Sequence, residues 1–297
     1  MAGDPTPWVS VKYTRILAVC TLALLIFTAC ADESPRASNT FGQPPAEADL
    51  KTFGKSQQGS AQPLEYRILA TAPHIEDSFT QGWQLHNGLF YESSGRYRKS
   101  YLVRYTMDNT VQQRLSLPDD IFAEGLTLFN ERLFLLTWRA GRAYEYDSAT
   151  LTLVKTHAYD GEGWGLTTDG QALIMSNGSN RLHFRNPETF AATREITVHD
   201  NSPKIWNRLN ELEYAKGLIW ANVWQKPLIL AIEPANGTVV GLLDLTELVD
   251  ANTQHPTHET LNGIAYDHQR QAFWITGKLW ASRYLIEISM PDSVKPE

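Results

Sequence analysis

From Leu64 onward the chain is a series of short apolar and aromatic runs of four to seven residues, separated by clusters of Gly, Asn, Asp and Pro, with no long capped helical period. The runs recur in a fixed order. First comes a small polar motif: Phe79-Thr80-Gln81-Gly82, Phe122-Ala123-Glu124-Gly125, Gly161-Glu162-Gly163-Trp164-Gly165, Leu209-Asn210-Glu211-Leu212-Glu213 and Leu261-Asn262-Gly263-Ile264. About a dozen residues later a second run follows each, at Leu89–Ser93, Leu133–Trp138, Leu173–Ser176, Leu218–Trp224 and Ala272–Lys278. A third follows at Tyr101–Tyr105, Ala143–Asp147, Arg181–Asn186, Leu228–Pro234 and Tyr284–Ile288, and turn tracts such as Asn186-Pro187-Glu188-Thr189 lead into a fourth.

With Gln81, Glu124, Glu162, Asn210 and Asn262 as markers, the spacings are 43, 38, 48 and 52 residues. Four strands in a period of that length are the mark of a propeller blade, so the pattern predicts an all-β, five-bladed β-propeller with four-stranded blades. The last unit stops near Ile288, too early for its own outer strand, while Glu65–Thr71 precedes the first unit. This early strand is expected to complete the fifth blade, closing the last blade with the N-terminal strand and covering exposed edges.

Ahead of the repeats, Lys12 and Arg15 precede the apolar run Ile16–Phe27, and Thr28-Ala29-Cys30-Ala31 follows, the order of a secretory signal. The run is too short for a comfortable membrane span. Ile26-Phe27-Thr28-Ala29-Cys30 resembles a bacterial lipobox, whose cysteine is acylated; Ala29-Cys30-Ala31 also satisfies ordinary signal cleavage. The division expected is a signal peptide over 1–31 with acylation at Cys30, a flexible Pro- and Gly-containing linker over 32–63, and the propeller over 64–290. The protein is thus expected to be exported, periplasmic or membrane-anchored, and a monomer.

Composition narrows the function. The 297 residues carry a net charge of −7 with both signs interspersed, so nucleic acid is not an expected partner. Cys20 and Cys30, the only cysteines, lie in or beside the signal-like run, and the propeller must hold by packing alone. Nine Trp favour an aromatic pocket.

In a propeller the first strand of every blade lines the central channel, so the five polar motifs converge at one mouth. Gln81, Glu124, Trp164, Asn210 and Asn262 should then share a pocket with Trp138, Trp224 and Lys278 from the second runs. Phe-Thr-Gln-Gly, Tyr-Glu-Ser-Ser-Gly, Glu-Gly-Leu-Thr, Leu-Thr-Trp, Gly-Glu-Gly-Trp-Gly-Leu-Thr, Leu-Asn-Glu-Leu-Glu, Ala-Asn-Val-Trp, Leu-Asn-Gly-Ile-Ala-Tyr-Asp and Thr-Gly-Lys-x-Trp, in this order across all five repeats, resemble the plant and bacterial glutaminyl-peptide cyclotransferases.

The resemblance implies a five-bladed propeller that converts the N-terminal glutamine of peptides or proteins to pyroglutamate with release of ammonia, without a cofactor or catalytic metal. It implies that Glu124 transfers the proton, that Gln81, Asn210 and Lys278 contact substrate, and that Trp138, Trp164 and Trp224 wall the site. The residue chemistry agrees. An α-amine with pKa ~8 is partly neutral near pH 7, so the reaction needs a proton for the departing nitrogen more than it needs a stronger nucleophile. Ala123 stands where the family usually has Gly, Asn177 where Asp is common and Ala281 where Pro is usual; Ala123 puts the backbone beside Glu124 in question.

Blander roles compete. Trp83, Trp206, Trp220, Trp274 and Trp280 read as core, Glu162 and Glu211 as hydrogen-bonded struts, and His255-x-x-His258 as solvated loop histidines rather than metal ligands. A noncatalytic propeller lipoprotein binding envelope proteins, or a metal-dependent lactonase-like propeller, would share the same repeats.

Overall fold

The outermost expected strands are polar and the inner ones apolar, a gradient set by position in a blade. A strand next to the axis is covered on both faces by neighbouring blades, whereas a rim strand meets water. The computed structural model describes residues 61–75, 77–200 and 202–291. The signal-like segment, Cys30 and the linker up to residue 60 lie outside the described residues.

The chain opens with β1 (Gln62–Pro73) and then lays down one blade after another. Blade 1 is β2 (Thr80–His86), β3 (Leu89–Ser94), β4 (Tyr101–Thr106) and β5 (Val111–Ser116); blade 2 is β6 (Ala123–Phe129), β7 (Arg132–Thr137), β8 (Arg142–Asp147) and β9 (Leu153–Ala158). Blade 3 is β10 (Leu166–Thr168), β11 (Leu173–Ser176), β12 (Arg181–Arg185) and β13 (Ala192–Thr197). Blade 4 is β14 (Leu209–Ala215), β15 (Leu218–Val223), β16 (Leu228–Ile232) and β17 (Val239–Asp244). A short helix α1 (Thr246–Asn252), which the sequence pattern did not announce, leads to β18 (Leu261–Asp267), β19 (Ala272–Gly277) and β20 (Ser282–Ser289) of blade 5.

The inner strands touch in the cyclic order β2, β6, β10, β14, β18 and back to β2, which closes the ring. β1 pairs antiparallel with β20 from Glu65↔Ser289 to Pro73↔Ser282, as the early strand was expected to do. It also does something more. Gln62, Pro63 and Leu64 pair in parallel with Gly241, Leu242 and Leu243 of β17, so blades 4 and 5 fuse through β1 into one eight-stranded sheet. The strand therefore begins at Gln62, three residues before the expected Glu65, because the outer edge of blade 4 offers it partners.

Packing lies between blades. Five hydrophobic clusters occupy the five interfaces; one joins Trp83 and Phe90 of blade 1 to Trp274 of blade 5, another joins Trp220 of blade 4 to Phe273 of blade 5. Trp83, Trp206, Trp220, Trp274 and Trp280 are all buried in these layers or beside them. A fully buried aromatic side chain contributes roughly 1.5–3 kcal/mol, which accounts for a propeller without a disulfide.

Candidate active site

The first strand of a blade cannot run straight through the polar motif. In blades 1, 2, 4 and 5 the pairing of first with second strand slips at the motif, between Thr80 and Gly82, Ala123 and Leu126, Leu209 and Leu212, and Leu261 and Ile264. Each slip is a bulge that takes Gln81, Glu124, Asn210 and Asn262 out of the ladder alternation and re-aims their side chains. In blade 3 the motif precedes the strand altogether, since β10 begins only at Leu166.

A second repeat pattern supplies the wall. The residue just past the end of the second strand donates its N–H to the carbonyl two residues before the bulged one: Trp138 to Phe122 at 3.0 Å, Trp224 to Arg208 at 2.8 Å, Lys278 to Thr260 at 2.9 Å and Gly95 to Phe79 at 3.0 Å. Equivalent positions in different blades thus hold an indole, an indole, an ammonium and a hydrogen, all around one mouth. Gly125 and Gly165 follow because the inner strands approach so closely there. A Cβ on Gly125 would lie 2.4 Å from the Leu166 nitrogen, and one on Gly165 would lie 1.9 Å from the Asn210 carbonyl oxygen.

The result is a cavity of about 330 Å³. Gln81, Glu124, Trp138, Trp164, Asn210, Trp224 and Lys278 all line it. Asn262 does not. Its amide turns away and donates to the Thr80 carbonyl at 2.9 Å, tying blade 5 to blade 1, so the expectation that it shares the pocket is corrected. Sequence reading passed over Phe79, Phe122, Thr257, His258 and Thr260, which also line the cavity. The two Phe residues had a signal, since each stands two positions before the bulged residue; His258, read as a solvated loop histidine, is exposed but borders the mouth.

The walls are rigidly held. Trp164 and Trp224 meet edge to face at 5.5 Å, and Trp138 packs on Phe122 at 5.5 Å. Glu162 accepts the indole N–H of Trp138 at 2.8 Å and that of Trp164 at 3.0 Å on one oxygen, and Arg139 Nε at 2.8 Å on the other. Burial raises the Glu162 carboxyl less than these donors lower it, so it stays ionised as a strut. Glu211 bridges blades 4 and 5 by accepting the Ile264 N–H at 2.9 Å on one oxygen; burial, with Glu213 beside it, pushes its carboxyl well above the usual range, and its Oε1 has no partner among the described residues.

Glu124 differs from both in lining the cavity. It is 5% exposed, and its one side-chain hydrogen bond among the described residues is a long 3.4 Å contact from Gln81 Nε2. Burial pushes its carboxyl well above the usual carboxylate range, the Lys278 ammonium opposes that, and Glu162 adds to it. Lys278, also 5% exposed, is pushed down to about 8 by burial against the attraction of Glu124, and makes no ion pair within 4 Å among the described residues. Gln81 Oε1 and Asn210 Oδ1 are buried acceptors without a partner among the described residues. Such groups are costly unless something binds them, which marks them for a guest's N–H. Ala123 has no left-handed backbone, so the residue standing in place of Gly leaves Glu124 unstrained.

No group of three or more His, Cys, Asp or Glu placed to hold a metal ion occurs among the described residues. A small polar guest is thus offered one proton-exchanging carboxyl, one cation, two free amide oxygens and three indoles.

Residues 45–288 match the family model described as glutamine cyclotransferase. A glutaminyl-peptide cyclotransferase of Arabidopsis thaliana is 37% identical over 254 residues, covering 82% of this chain and 79% of the relative. The crystal structure of Myxococcus xanthus glutaminyl cyclase superposes with a TM-score of 0.71 at 34% identity, covering 78% of this chain and all of that one.

Proposed function

Given that the chain belongs to the glutamine cyclotransferase family and is an enzyme of that kind, we propose that the indole-walled chamber is its active site and that Glu124 moves the proton on which the reaction turns. The observation that carries this reading is a buried, nearly unbonded carboxyl with a raised pKa facing a buried lysine in a 330 Å³ cavity.

In the reaction the neutral α-amine of an N-terminal glutamine attacks its own γ-carboxamide carbon. A C–N bond forms to close a five-membered ring, the carbonyl oxygen takes negative charge, and the former amide nitrogen must leave as ammonia. Glu124, as carboxylate, accepts the proton released by the attacking nitrogen; as carboxylic acid it delivers that proton to the departing one, and its charge is restored. A carboxyl raised toward neutrality serves both steps better than an ordinary one. Lys278 supplies positive charge for the oxyanion, a contribution of roughly 3 kcal/mol per well-placed donor. Gln81 Oε1 and Asn210 Oδ1 accept N–H bonds from the amine and carboxamide and orient them for attack. Trp138, Trp164 and Trp224 keep water from competing for the carbonyl carbon.

The substrates are peptides or proteins with N-terminal glutamine. Purified protein should release ammonia from a Gln-initiated dipeptide equally with and without a chelator, and Glu124→Gln should abolish that release in a protein that still melts cooperatively. Undiminished release by the folded variant would remove Glu124 from the mechanism. Export with acylation at Cys30 rests on the sequence signal alone; mass spectrometry of the mature N-terminal peptide would show the lipid or its absence.

A further inference from the structure

Blade 1 departs from its neighbours at the wall position. Trp138, Trp224 and Lys278 each project a side chain into the chamber wall, but blade 1 has Gly95, and a Cβ there would lie 2.2 Å from the Ala123 carbonyl oxygen. The loop that follows replaces the missing side chain. Arg96 lays its guanidinium over Phe79, 4.8 Å from the ring centre, and Tyr97, 49% exposed, packs edge-on against Phe122 at 5.4 Å.

Beside this loop lies a second cavity, of about 440 Å³, whose lining includes Arg96, Arg98, Lys99 and Arg114 together with Asp77 and Asp119. Four cations against two carboxylates stand out on a chain of net charge −7. Arg114 lies over the Tyr101 ring at 3.7 Å, and the side chains of Arg98 and Lys99 make no hydrogen bond or ion pair among the described residues. The loop is nonetheless ordered in advance. Arg96 N–H donates to Ser100 Oγ, Lys99 N–H to the Arg96 carbonyl and Arg98 N–H to the Asp119 carbonyl, each at 3.0 Å, with Arg98 in the left-handed region at φ 68. Unpaired cations on a preformed loop require little ordering to bind an anion.

We infer that this cavity is a subsite for a carboxylate carried by the substrate peptide downstream of its glutamine, read by Arg96, Arg98, Lys99 and Arg114. The inference rests on the cyclotransferase reading of the chamber. With the glutamine side chain and amine inside, the rest of the peptide leaves across the rim, advancing about 3.3 Å per extended residue. Arg96 borders both spaces, because it stacks on Phe79, which lines the chamber, and itself lines the second cavity. An acidic side chain at the second or third residue, or the terminal carboxylate of a short peptide, is the group that would meet the cluster along this path.

The test compares kcat/KM for ammonia release from amidated Gln-Ala-Ala, Gln-Glu-Ala, Gln-Ala-Glu and Gln-Lys-Ala, and from Gln-Ala-Ala with a free C-terminus. A peptide with a carboxylate at the second or third residue should be preferred over alanine by roughly five- to tenfold at low salt, and the preference should shrink in ~0.5 M salt. Preference confined to the free C-terminus would assign the carboxylate to the chain end rather than to a side chain. The double variant R98E/K99E should turn the preference toward Gln-Lys-Ala, a gain that misfolding cannot mimic. Equal values across the wild-type series, or an acidic preference unchanged in the double variant, would overturn the subsite. Ammonia from none of the peptides would instead overturn the cyclotransferase reading beneath it.

Discussion

Two buried carboxylates, one in the body of blade 1 and one at the channel mouth, show opposite ways of treating the same group. Glu92 on β3 is 0% exposed and accepts from His74 at 3.1 Å, Thr80 at 2.7 Å and Tyr105 at 2.7 Å, with Ser78 as a fourth donor. Burial alone would raise it, yet His74 and the hydroxyl donors outweigh burial and hold it below the usual range. Glu124 on β6 is almost as buried and has one long contact. A saturated carboxylate is fixed in one charge state and stabilises; an unsaturated one costs stability and is free to exchange a proton. The site is legible as the place where a buried acid short of hydrogen bonds also lines a cavity and faces a buried lysine.

Replacing each acid in turn separates the two roles most strongly. Glu124→Gln should lower kcat by about 10³-fold or more while leaving the thermal midpoint unchanged or raised, since a costly buried acid is removed. Glu92→Gln should do the reverse, costing about 3 kcal/mol of unfolding free energy in a denaturant titration because the amide leaves one acceptor oxygen for four donors and removes the charge facing His74, with turnover per folded molecule kept within a few-fold. A Glu124 variant that unfolds, or a Glu92 variant that folds normally but is dead, would erase the distinction.

Next in size is Lys278→Met, expected to lower kcat by about 10²-fold through loss of the oxyanion's cation. In the wild type kcat should fall as pH rises through about 8, where Lys278 gives up its proton. Lys278→Arg should move that fall beyond the measurable range, because a guanidinium stays protonated. Glu162→Ala frees the indoles of Trp138 and Trp164 and should raise KM roughly fivefold with a smaller change in kcat, since the strut acts on the walls and not on the reacting atoms.

The smallest effect is on stability against pH, and its sign differs between the two acids. Glu124 in the folded protein holds a proton that the unfolded chain, with its ordinary value of 4.5, has already lost, so folding stability falls as pH rises from 4.5 toward the raised folded value. Glu213, raised to about 8 by burial, adds its own fall between about 4.5 and 8. Glu92, with its folded value depressed, contributes stability that is present above 4.5 and lost as pH drops through the folded value. Thermal midpoints of Glu124→Gln, measured by calorimetry, should thus show a gentler decline than wild type as pH rises above 4.5.

The five polar motifs and the apolar runs behind them fixed the blade count and the order of strands in advance, because every blade must repeat the same burial gradient from axis to rim. Gln81, Glu124, Asn210 and the wall residues Trp138, Trp224 and Lys278 were legible for the same reason: they stand at equivalent offsets in repeated units. Asn262 stands at that offset too, and the repeat alone gave no sign that its amide would be spent on the Thr80 carbonyl of the neighbouring blade. His258 and Thr257 reach the mouth from the segment between α1 and β18, which has no counterpart in the other blades and so no periodic signal.

What the sequence determined by itself is the repeat, and with it the convergence of its polar positions on one axis. Only tertiary structure decided that β1 also seals blade 4, that Glu162 clamps two indoles, and that Glu124 is left nearly without donors. These depend on distances between segments of different blades, where a local pattern names the residue type but the ring closure sets what each side chain meets.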